Sequence, residues 1–89
     1  MIKIILAPSF KKCYSKRIAH NKKLIFVTTK RFEQFSIDPN CQQLHNHQLI
    51  GKMKGLYSFS ITGDIRVIYR WVDNTTVLFM DIGSHNQVY

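Results

Sequence analysis

Three β-type runs in the second half of the sequence constrain the fold most. They span residues 56–61, 65–71 and 76–82. The first run alternates aromatic or aliphatic residues with mainly small polar ones, as expected for a strand with one solvated face. The two connections, 62–64 and 73–75, read Thr-Gly-Asp and Asp-Asn-Thr, a composition typical of hairpin turns. These runs therefore predict three consecutive antiparallel strands.

The first part of the chain predicts one strand followed by a helix. Residues 2–6 form a short, largely β-branched run and are expected to be a strand. Ser9 is placed to cap the helix that follows, in which Phe10, Tyr14 and Ile18 recur at helical spacing.

Residues 22–36 could form either a strand or a helix. The β-branched segment 24–29 would suit a strand, but Ile25, Phe32 and Phe35 also lie along one helical stripe. We predict a helix that ends before the Asp-Pro-Asn break at 38–40, with irregular structure after it. The order β-α-α-β-β-β then gives one α+β domain over residues 1–89, with two N-terminal helices packed on one face of a small, twisted, mainly antiparallel sheet.

The net charge gives the first indication of function. Thirteen Lys and Arg residues against five Asp and Glu give a formal charge of +8 on 89 residues. A field of this sign attracts RNA, DNA, an anionic membrane or an acidic protein, although a basic surface can also serve solubility alone. We favour a nucleic acid partner on charge.

The two cysteines, Cys13 and Cys41, lie far apart and form no CxxC motif. With no signal peptide ahead of them, they indicate a reducing, cytoplasmic setting. No apolar run approaches the roughly 20 residues needed to span a bilayer, so no membrane association is expected.

Three motifs in the second half resemble a known family. Residues 49–55 read Leu-x-Gly-Lys-Met-Lys-Gly, residues 63–70 read Gly-Asp-x-Arg-Val-Ile-Tyr-Arg, and residues 82–89 read Ile-Gly-Ser-His-x-x-Val-Tyr. In this order and spacing they resemble the RelE/YafQ superfamily of bacterial toxins, with the YafQ-like branch the nearer. The first half agrees with that family in element order and basic character rather than in motifs.

The resemblance implies a RelE-like fold and a toxin of a type II toxin–antitoxin system. Such a toxin is an endoribonuclease that cuts mRNA, commonly on the ribosome, until a cognate antitoxin neutralises it. No metal ion or small-molecule cofactor is implied. An acidic or amphipathic antitoxin segment is expected to cover the basic groove, with its apolar anchors on the helices.

The resemblance also implies roles for individual residues. His85 matches the family's late catalytic histidine, Asp64 its turn aspartate and His47 a histidine of the loop before the sheet. Tyr89 matches a late aromatic that can stack on a nucleobase. Arg66 matches a strand arginine of the RelE branch that contacts the phosphate. These are the expected catalytic and substrate-binding groups.

The sequence departs from the YafQ-like pattern at two positions. Ser60 stands where that branch has another histidine, and Asp81 stands where it has an arginine. One proton-transfer group and one cation of the pattern are therefore missing. We expect weaker turnover, or a different division of the chemistry among the remaining residues.

The chemistry of metal-free RNA cleavage explains why these residue types are needed. A base takes the 2′-hydroxyl proton, a cation stabilises the phosphorane and an acid protonates the 5′-oxygen. A histidine suits either proton role because its ordinary pKa of about 6.5 lies near working pH. His85 is the strongest candidate for acid or base. His47 fits as a second proton carrier or as a solvated loop residue, and Asp64 fits as a base, an orienting partner or simply a turn residue.

The remaining candidates concern phosphate and metal binding. Arg66 and Arg70 lie four residues apart and should point to one face of their strand, with Arg66 as the phosphate clamp. Lys52 and Lys54 are secondary cations from the preceding loop. A zinc site is not expected, because the two histidines of the His-x-His segment 45–47 have no third ligand.

Two other functions stay open at this point. The same superfamily contains ParE-type toxins, which inhibit DNA gyrase and need no proton-transfer residues, so His85 and Asp64 argue against that reading. A non-catalytic, basic RNA-binding module is the other alternative, and Ser60 and Asp81 keep it open.

Overall fold

A five-stranded mixed sheet organises the protein in the computed structural model, which describes residues 1–89. The strands lie in the order β1-β5-β4-β3-β2; β1 runs parallel to β5 and all other neighbours are antiparallel. The elements are β1 (Lys3–Leu6), α1 (Pro8–Arg17), α2 (Lys22–Ile37), β2 (His47–Gln48), β3 (Tyr57–Ser60), β4 (Ile65–Trp71), β5 (Thr76–Ser84) and α3 (His85–Val88). No helix has the length and apolar character required to span a membrane.

The predicted α+β class and element order are confirmed, with short additional elements in two places. The segment expected to be irregular contains the two-residue strand β2 and two single 3₁₀ turns, Gln42–Leu44 and Gly51–Met53. The chain also ends in the short helix α3, which was not predicted. The ambiguous segment 22–36 is a helix, α2: Asn21 Oδ1 accepts a hydrogen bond from the Leu24 backbone N–H at 3.2 Å and caps its start.

The predicted helix cap at Ser9 is wrong. Helix α1 begins at Pro8, after Ala7 as the N-cap residue, because the proline ring fixes a φ that suits the first helical turn. Ser9 lies inside that turn and its hydroxyl donates to the backbone oxygen of Met80 at 2.7 Å.

Helix α1 covers the part of β5 that β1 does not reach. β1 pairs with β5 only as far as Phe79, whose oxygen accepts from the Ala7 N–H at 2.9 Å. Beyond that point Arg17 Nη1 donates to the oxygen of Ile82 at 2.9 Å and lies 3.2 Å from Asp81 Oδ1. Side chains of α1 therefore satisfy backbone acceptors that a neighbouring strand would otherwise use.

The core lies between the sheet and helices α1 and α2 and is rich in aromatic rings. Phe35 contacts Phe59, Tyr69 and Phe79 with ring centroids 4.7, 5.0 and 5.4 Å away, mostly edge to face. The fully buried residues of this cluster are Phe10, Ile18, Phe35, Leu44, Phe59, Ile61, Val67, Tyr69, Val77, Phe79 and Ile82. The helices thus occupy one face of the sheet, as predicted.

Helix α3 lies against the sheet near β4 and β5. Val88 packs in a separate buried cluster with Leu49 and Ile68. Because Ile68 lies between Val67 and Tyr69 in β4, which both point into the main core, this second cluster is on the opposite face. That face is only partly covered, and it carries the polar residues described next.

Candidate active site

A polar cleft of about 440 Å³ opens at the end of β3. It is lined by Arg31, Gln43, His45, His47, Ser60, Ile61, Thr62, Gly63 and Arg66. The lining includes two arginines and two histidines, a single apolar side chain and no carboxylate. Such a cleft is suited to an anion.

Strand pairing explains why residues from three strands meet in this cleft. His47 of β2 is paired with Ser58, and Ser60 of β3 is paired with Arg66 of β4. Residues directly opposite each other in an antiparallel pair point to the same face of the sheet. Ser58 and Ser60 alternate with the core residue Phe59, so all of these side chains lie on the face opposite the aromatic core.

The Arg66 guanidinium is held by the hairpin turn. Its Nη1 donates to the backbone oxygen of Thr62 at 2.9 Å and, more weakly, to that of Ile65 at 3.4 Å. The Thr62 hydroxyl oxygen in turn accepts from the backbone N–H groups of Asp64 and Ile65 at 3.2 and 3.1 Å. No carboxylate pairs with Arg66, so its charge remains available to a ligand.

The hydrogen bond of His47 determines which ring nitrogen can take a proton. His47 Nδ1 lies 3.1 Å from the backbone oxygen of His45. A carbonyl oxygen can only accept, so Nδ1 carries the hydrogen in this contact and Nε2 is left with a free lone pair in the neutral ring. His47 is therefore arranged as a proton acceptor.

Asn46 fixes the loop that carries both cleft histidines. Its Nδ2 donates to the oxygen of Pro39 at 2.8 Å, and its Oδ1 accepts from the hydroxyl of Tyr69 at 2.8 Å. Tyr69 is fully buried, and this burial raises its pKa to about 12, although the hydrogen bond to Asn46 acts in the opposite direction. The neighbouring His45 adopts a left-handed φ of 48°. The buried, neutral phenol therefore anchors this loop to strand β4.

His85 and Tyr89 form a second group beside the cleft. His85 is the first residue of α3, and its backbone N–H donates to the oxygen of Asp64 at 3.2 Å. The His85 and Tyr89 rings meet edge to face with centroids 4.6 Å apart. The Tyr89 hydroxyl donates to Ser58 Oγ at 2.6 Å, which ties α3 to the face that carries His47.

The structure thus places the sequence-predicted catalytic residues in two adjoining groups. His47 and Arg66 line one cleft. Asp64 and His85 are joined through their backbones at the neighbouring end of β4 and β5, outside the cleft lining. The separation between the groups is short along the sheet, because Gly83, two residues before His85, is paired directly with Arg66.

Three of the predicted substrate-binding residues lie away from the cleft. Lys52 and Lys54 are exposed on and next to the 3₁₀ turn Gly51–Met53. Arg70 is exposed and points to the same face as Arg66, but it lies four residues along the strand, roughly 13 Å away. Tyr89 keeps 43% of its surface exposed despite its contact with His85.

The two departures from the YafQ-like pattern have different surroundings. Ser60 lies in the cleft and is 8% exposed, so it occupies the position where a larger side chain would meet a ligand. Asp81 lies outside the cleft and forms an ion pair with Arg17.

Burial, together with a hydrogen bond to Asp81, raises the pKa of Cys13, so this thiol is not an activated nucleophile.

Sequence reasoning missed the contributions of Arg31, Gln43 and His45 to the cleft. Arg31 left a detectable signal, because it lies on the buried stripe of α2, three residues after Thr28 and four before Phe35. An arginine in such a stripe must extend to the edge of the sheet to keep its charge solvated. Nothing in the sequence indicates the position of Gln43.

No group of three or more His, Cys, Asp or Glu side chains is placed to hold a metal ion.

Solved structures share this fold over essentially the whole chain. A copper-bound mutant toxin from Helicobacter pylori matches with a TM-score of 0.80 and 26% identity, and the match covers 100% of both chains. YafQ from E. coli matches with a TM-score of 0.76 and 17% identity, and its complex with DinJ matches with 0.74 and 17%; both matches cover 100% of this chain and 99% of the other. No curated protein matches the sequence.

The family model for YafQ, a bacterial toxin of type II toxin–antitoxin systems, matches residues 3–89. This match confirms the resemblance found in the three motifs and extends it over the first half of the chain, where motifs were lacking. The chain therefore belongs to the YafQ family of type II toxins, which act as mRNA-cleaving endoribonucleases.

Proposed function

We propose that the chain cleaves single-stranded regions of mRNA in the cleft at the end of β3, without a metal ion. The observation that carries the proposal is that His47, with a free Nε2, and Arg66, with no counter-ion, line the same carboxylate-free cleft. An RNA phosphodiester bound there meets a proton acceptor and a phosphate-binding cation together.

In the proposed reaction His47 Nε2 takes the proton of the 2′-hydroxyl as the 2′-oxygen attacks phosphorus. Arg66 stabilises the charge that develops on the phosphorane oxygens. The bond from phosphorus to the 5′-oxygen then breaks, and an imidazolium at His85 supplies the proton to that leaving oxygen. The products are a 2′,3′-cyclic phosphate and a free 5′-hydroxyl.

The other sequence-predicted residues have supporting roles in this proposal. Asp64 positions His85 through its backbone oxygen. The half-exposed ring of Tyr89 offers a surface for a nucleobase. Lys52, Lys54 and Arg70 are exposed cations that steer RNA towards the cleft and do not contact the scissile phosphate.

The direct test compares histidine variants of the purified protein with mRNA, with and without ribosomes. We expect His47→Ala and His85→Ala each to lower the cleavage rate by about a hundredfold or more, since general acid–base catalysis contributes that much. His20→Ala is the matched control, because His20 is exposed in the turn that follows α1 and contacts the oxygen of Lys16. Full activity of both His47→Ala and His85→Ala would refute the assignment.

The same preparation separates the alternative functions. A non-catalytic RNA-binding module would bind mRNA in a salt-sensitive manner without cutting it. A ParE-type toxin would inhibit DNA gyrase and leave mRNA intact. Cleavage that occurs only with translating ribosomes would identify the ribosome as a partner, and growth arrest on expression in the cytoplasm, relieved by His85→Ala, would link cleavage to toxicity.

We also propose that a cognate antitoxin binds across the two long helices. DinJ is the partner of YafQ in the structure of their complex. In the present chain a groove of about 520 Å³ between α1 and α2 is lined by Leu6, Phe10, Tyr14 and Phe32. Phe26, on the same helix as Phe32, is 63% exposed. An amphipathic antitoxin segment would bury these apolar groups, and its acidic residues would meet the basic surface.

A further inference from the structure

The polar cleft contains a second cation that the family motifs do not identify. Arg31 projects from α2, in the layer on the core side of the sheet, and reaches the cleft at the end of β3. Its Nε donates to the backbone oxygen of Ile61 at 3.3 Å, next to the turn that holds Arg66. The two guanidinium groups thus approach the cleft from opposite layers of the fold.

The hydrogen bonds of Arg31 orient it without neutralising it. Its Nη1 donates to Gln34 Oε1 at 2.7 Å and to Gln43 Oε1 at 3.1 Å, and the two glutamines are themselves joined at 2.7 Å. All three acceptors of Arg31 are uncharged amide oxygens. Nε and Nη1 supply these bonds, so both N–H groups of Nη2 remain for a ligand. A half-buried arginine held in this way is pre-organised for an anion.

The other two arginines of the chain cannot supply a second cation to the cleft. Arg17 forms the only ion pair, with Asp81, and also donates to the oxygen of Ile82. Arg70 lies four residues along β4 from Arg66, roughly 13 Å away. Asp81 itself stands where the YafQ-like pattern has a cation. Arg31 is therefore the second arginine of the cleft that has no acidic partner.

We propose that Arg31 binds a backbone phosphate of the RNA next to the phosphate held by Arg66. The inference rests on the proposed function, since it assigns the second phosphate subsite of the same cleft. RNA would then lie across the end of β3 with one phosphate on each guanidinium. Arg31 is a substrate-binding residue in this arrangement, and it acts on the ground state and the transition state alike.

The test measures binding separately from cleavage. The probe is a short RNA with a single 2′-deoxynucleotide at the cleavage position, which cannot be cut because it lacks the attacking hydroxyl. Its affinity is measured by fluorescence anisotropy over a range of salt concentrations for Arg31→Gln and for the matched control Lys30→Gln. Lys30 is the adjacent residue of α2; it is exposed and its ammonium lies over the Phe26 ring, so its variant removes the same charge outside the cleft.

Arg31→Gln is expected to bind about tenfold more weakly, which corresponds to about 1.4 kcal/mol. The slope of log affinity against log salt should fall by about 0.7, the value for one phosphate contact on a single strand. Lys30→Gln should change neither quantity. On a cleavable RNA, Arg31→Gln should raise KM and leave kcat nearly unchanged, because it removes uniform binding.

Three results would overturn the inference. One is an unchanged salt slope in Arg31→Gln; another is an equal loss of affinity in Lys30→Gln. The third is a loss of affinity in Arg31→Gln that comes with a disturbed fold by circular dichroism and is not partly restored in Arg31→Lys. That combination would show that the role of Arg31 is purely structural. If the wild-type chain binds the probe and Arg31→Gln changes the slope but no RNA is ever cut, the phosphate subsite stands and the nuclease proposal fails.

Discussion

The hydrogen bond between the buried Tyr69 hydroxyl and Asn46 gives a sharp test of how the loop before β3 is held. Tyr69→Phe removes this 2.8 Å contact and leaves the aromatic ring in place. Tyr69 is fully buried and Asn46 half-buried, so the lost bond and the unpaired amide oxygen should together lower the free energy of unfolding by about 1 to 2 kcal/mol. For a domain of this size that is a fall of roughly 4 to 16 °C in Tm.

The control is Tyr57→Phe, which removes a hydroxyl from a ring stacked on Tyr69 with centroids 5.5 Å apart. The Tyr57 hydroxyl makes no hydrogen bond within the protein, so its loss should change stability by less than about 0.5 kcal/mol. Urea unfolding of the two variants at neutral pH measures the difference. Equal stabilities would show that the Asn46 contact contributes nothing.

The pH dependence of stability gives a second, independent measure of Tyr69. Burial raises its pKa from 10.0 to about 12 in the folded protein. The fold therefore favours the neutral phenol, and this contribution is complete below pH 10 and is lost as the pH rises towards 12. Over that window the wild type should lose about 2 to 3 kcal/mol more than Tyr69→Phe. Parallel curves for the two proteins would refute the reasoning.

The variant should also affect catalysis, because Asn46 lies between the two cleft histidines. A loosened loop misplaces His47, so the rate of RNA cleavage should fall by up to about tenfold while RNA affinity changes little. An unchanged rate alongside lower stability would mean that the anchor serves the fold alone.

Three further variants test other parts of the structure. Gly83→Ala places a methyl group 2.6 Å from Arg17 Nη1 and 2.7 Å from Gln87 Oε1, so urea unfolding should show a loss of stability of about 1 to 3 kcal/mol. RNA cleavage should also be slower, because α3 is displaced. Unchanged stability would mean that both side chains move away freely. Asp81→Arg restores the family's cation but places it against Arg17, so we expect a lower Tm and no gain in cleavage rate; a rate above wild type would contradict this account of the ion pair. Asn21→Ala removes the cap of α2 and should lower the free energy of unfolding by about 1 kcal/mol. The control is Asn74→Ala in an exposed turn, and equal stabilities of the two variants would show that the Asn21 cap does not stabilise the fold.

The parts of the fold that the sequence predicts are those with a periodic pattern or a strong break. Strands β3 and β4 follow from alternation and from the hairpin composition of 62–64, and helix α2 follows from the stripe through Phe32 and Phe35. β2 and α3 have two and four residues, which is too short for any period to be detected. Their placement depends on contacts with distant strands, so only the folded structure reveals them.

The candidate site, like the fold, is predicted from the sequence only in part. The motifs identify His47 and Arg66, which strand pairing brings into one cleft. They do not identify Arg31, because it belongs to none of the three motifs, although its place on the buried stripe of α2 is visible in the sequence. Its role depends on the depth of the side chain at the sheet edge, a tertiary property. The Ser9 cap is wrong for a local reason, since a proline one residue earlier already begins the helix.

The scarcity of acidic neighbours has a consequence for the free protein. Of thirteen lysines and arginines only Arg17 has a carboxylate within ion-pair distance, so the surplus of positive charge repels itself throughout the molecule. Added electrolyte screens that repulsion, and a bound polyanion removes it more completely. The toxin should therefore be at its least stable in dilute buffer, alone, and gain resistance to heat when either RNA or an acidic inhibitor is present.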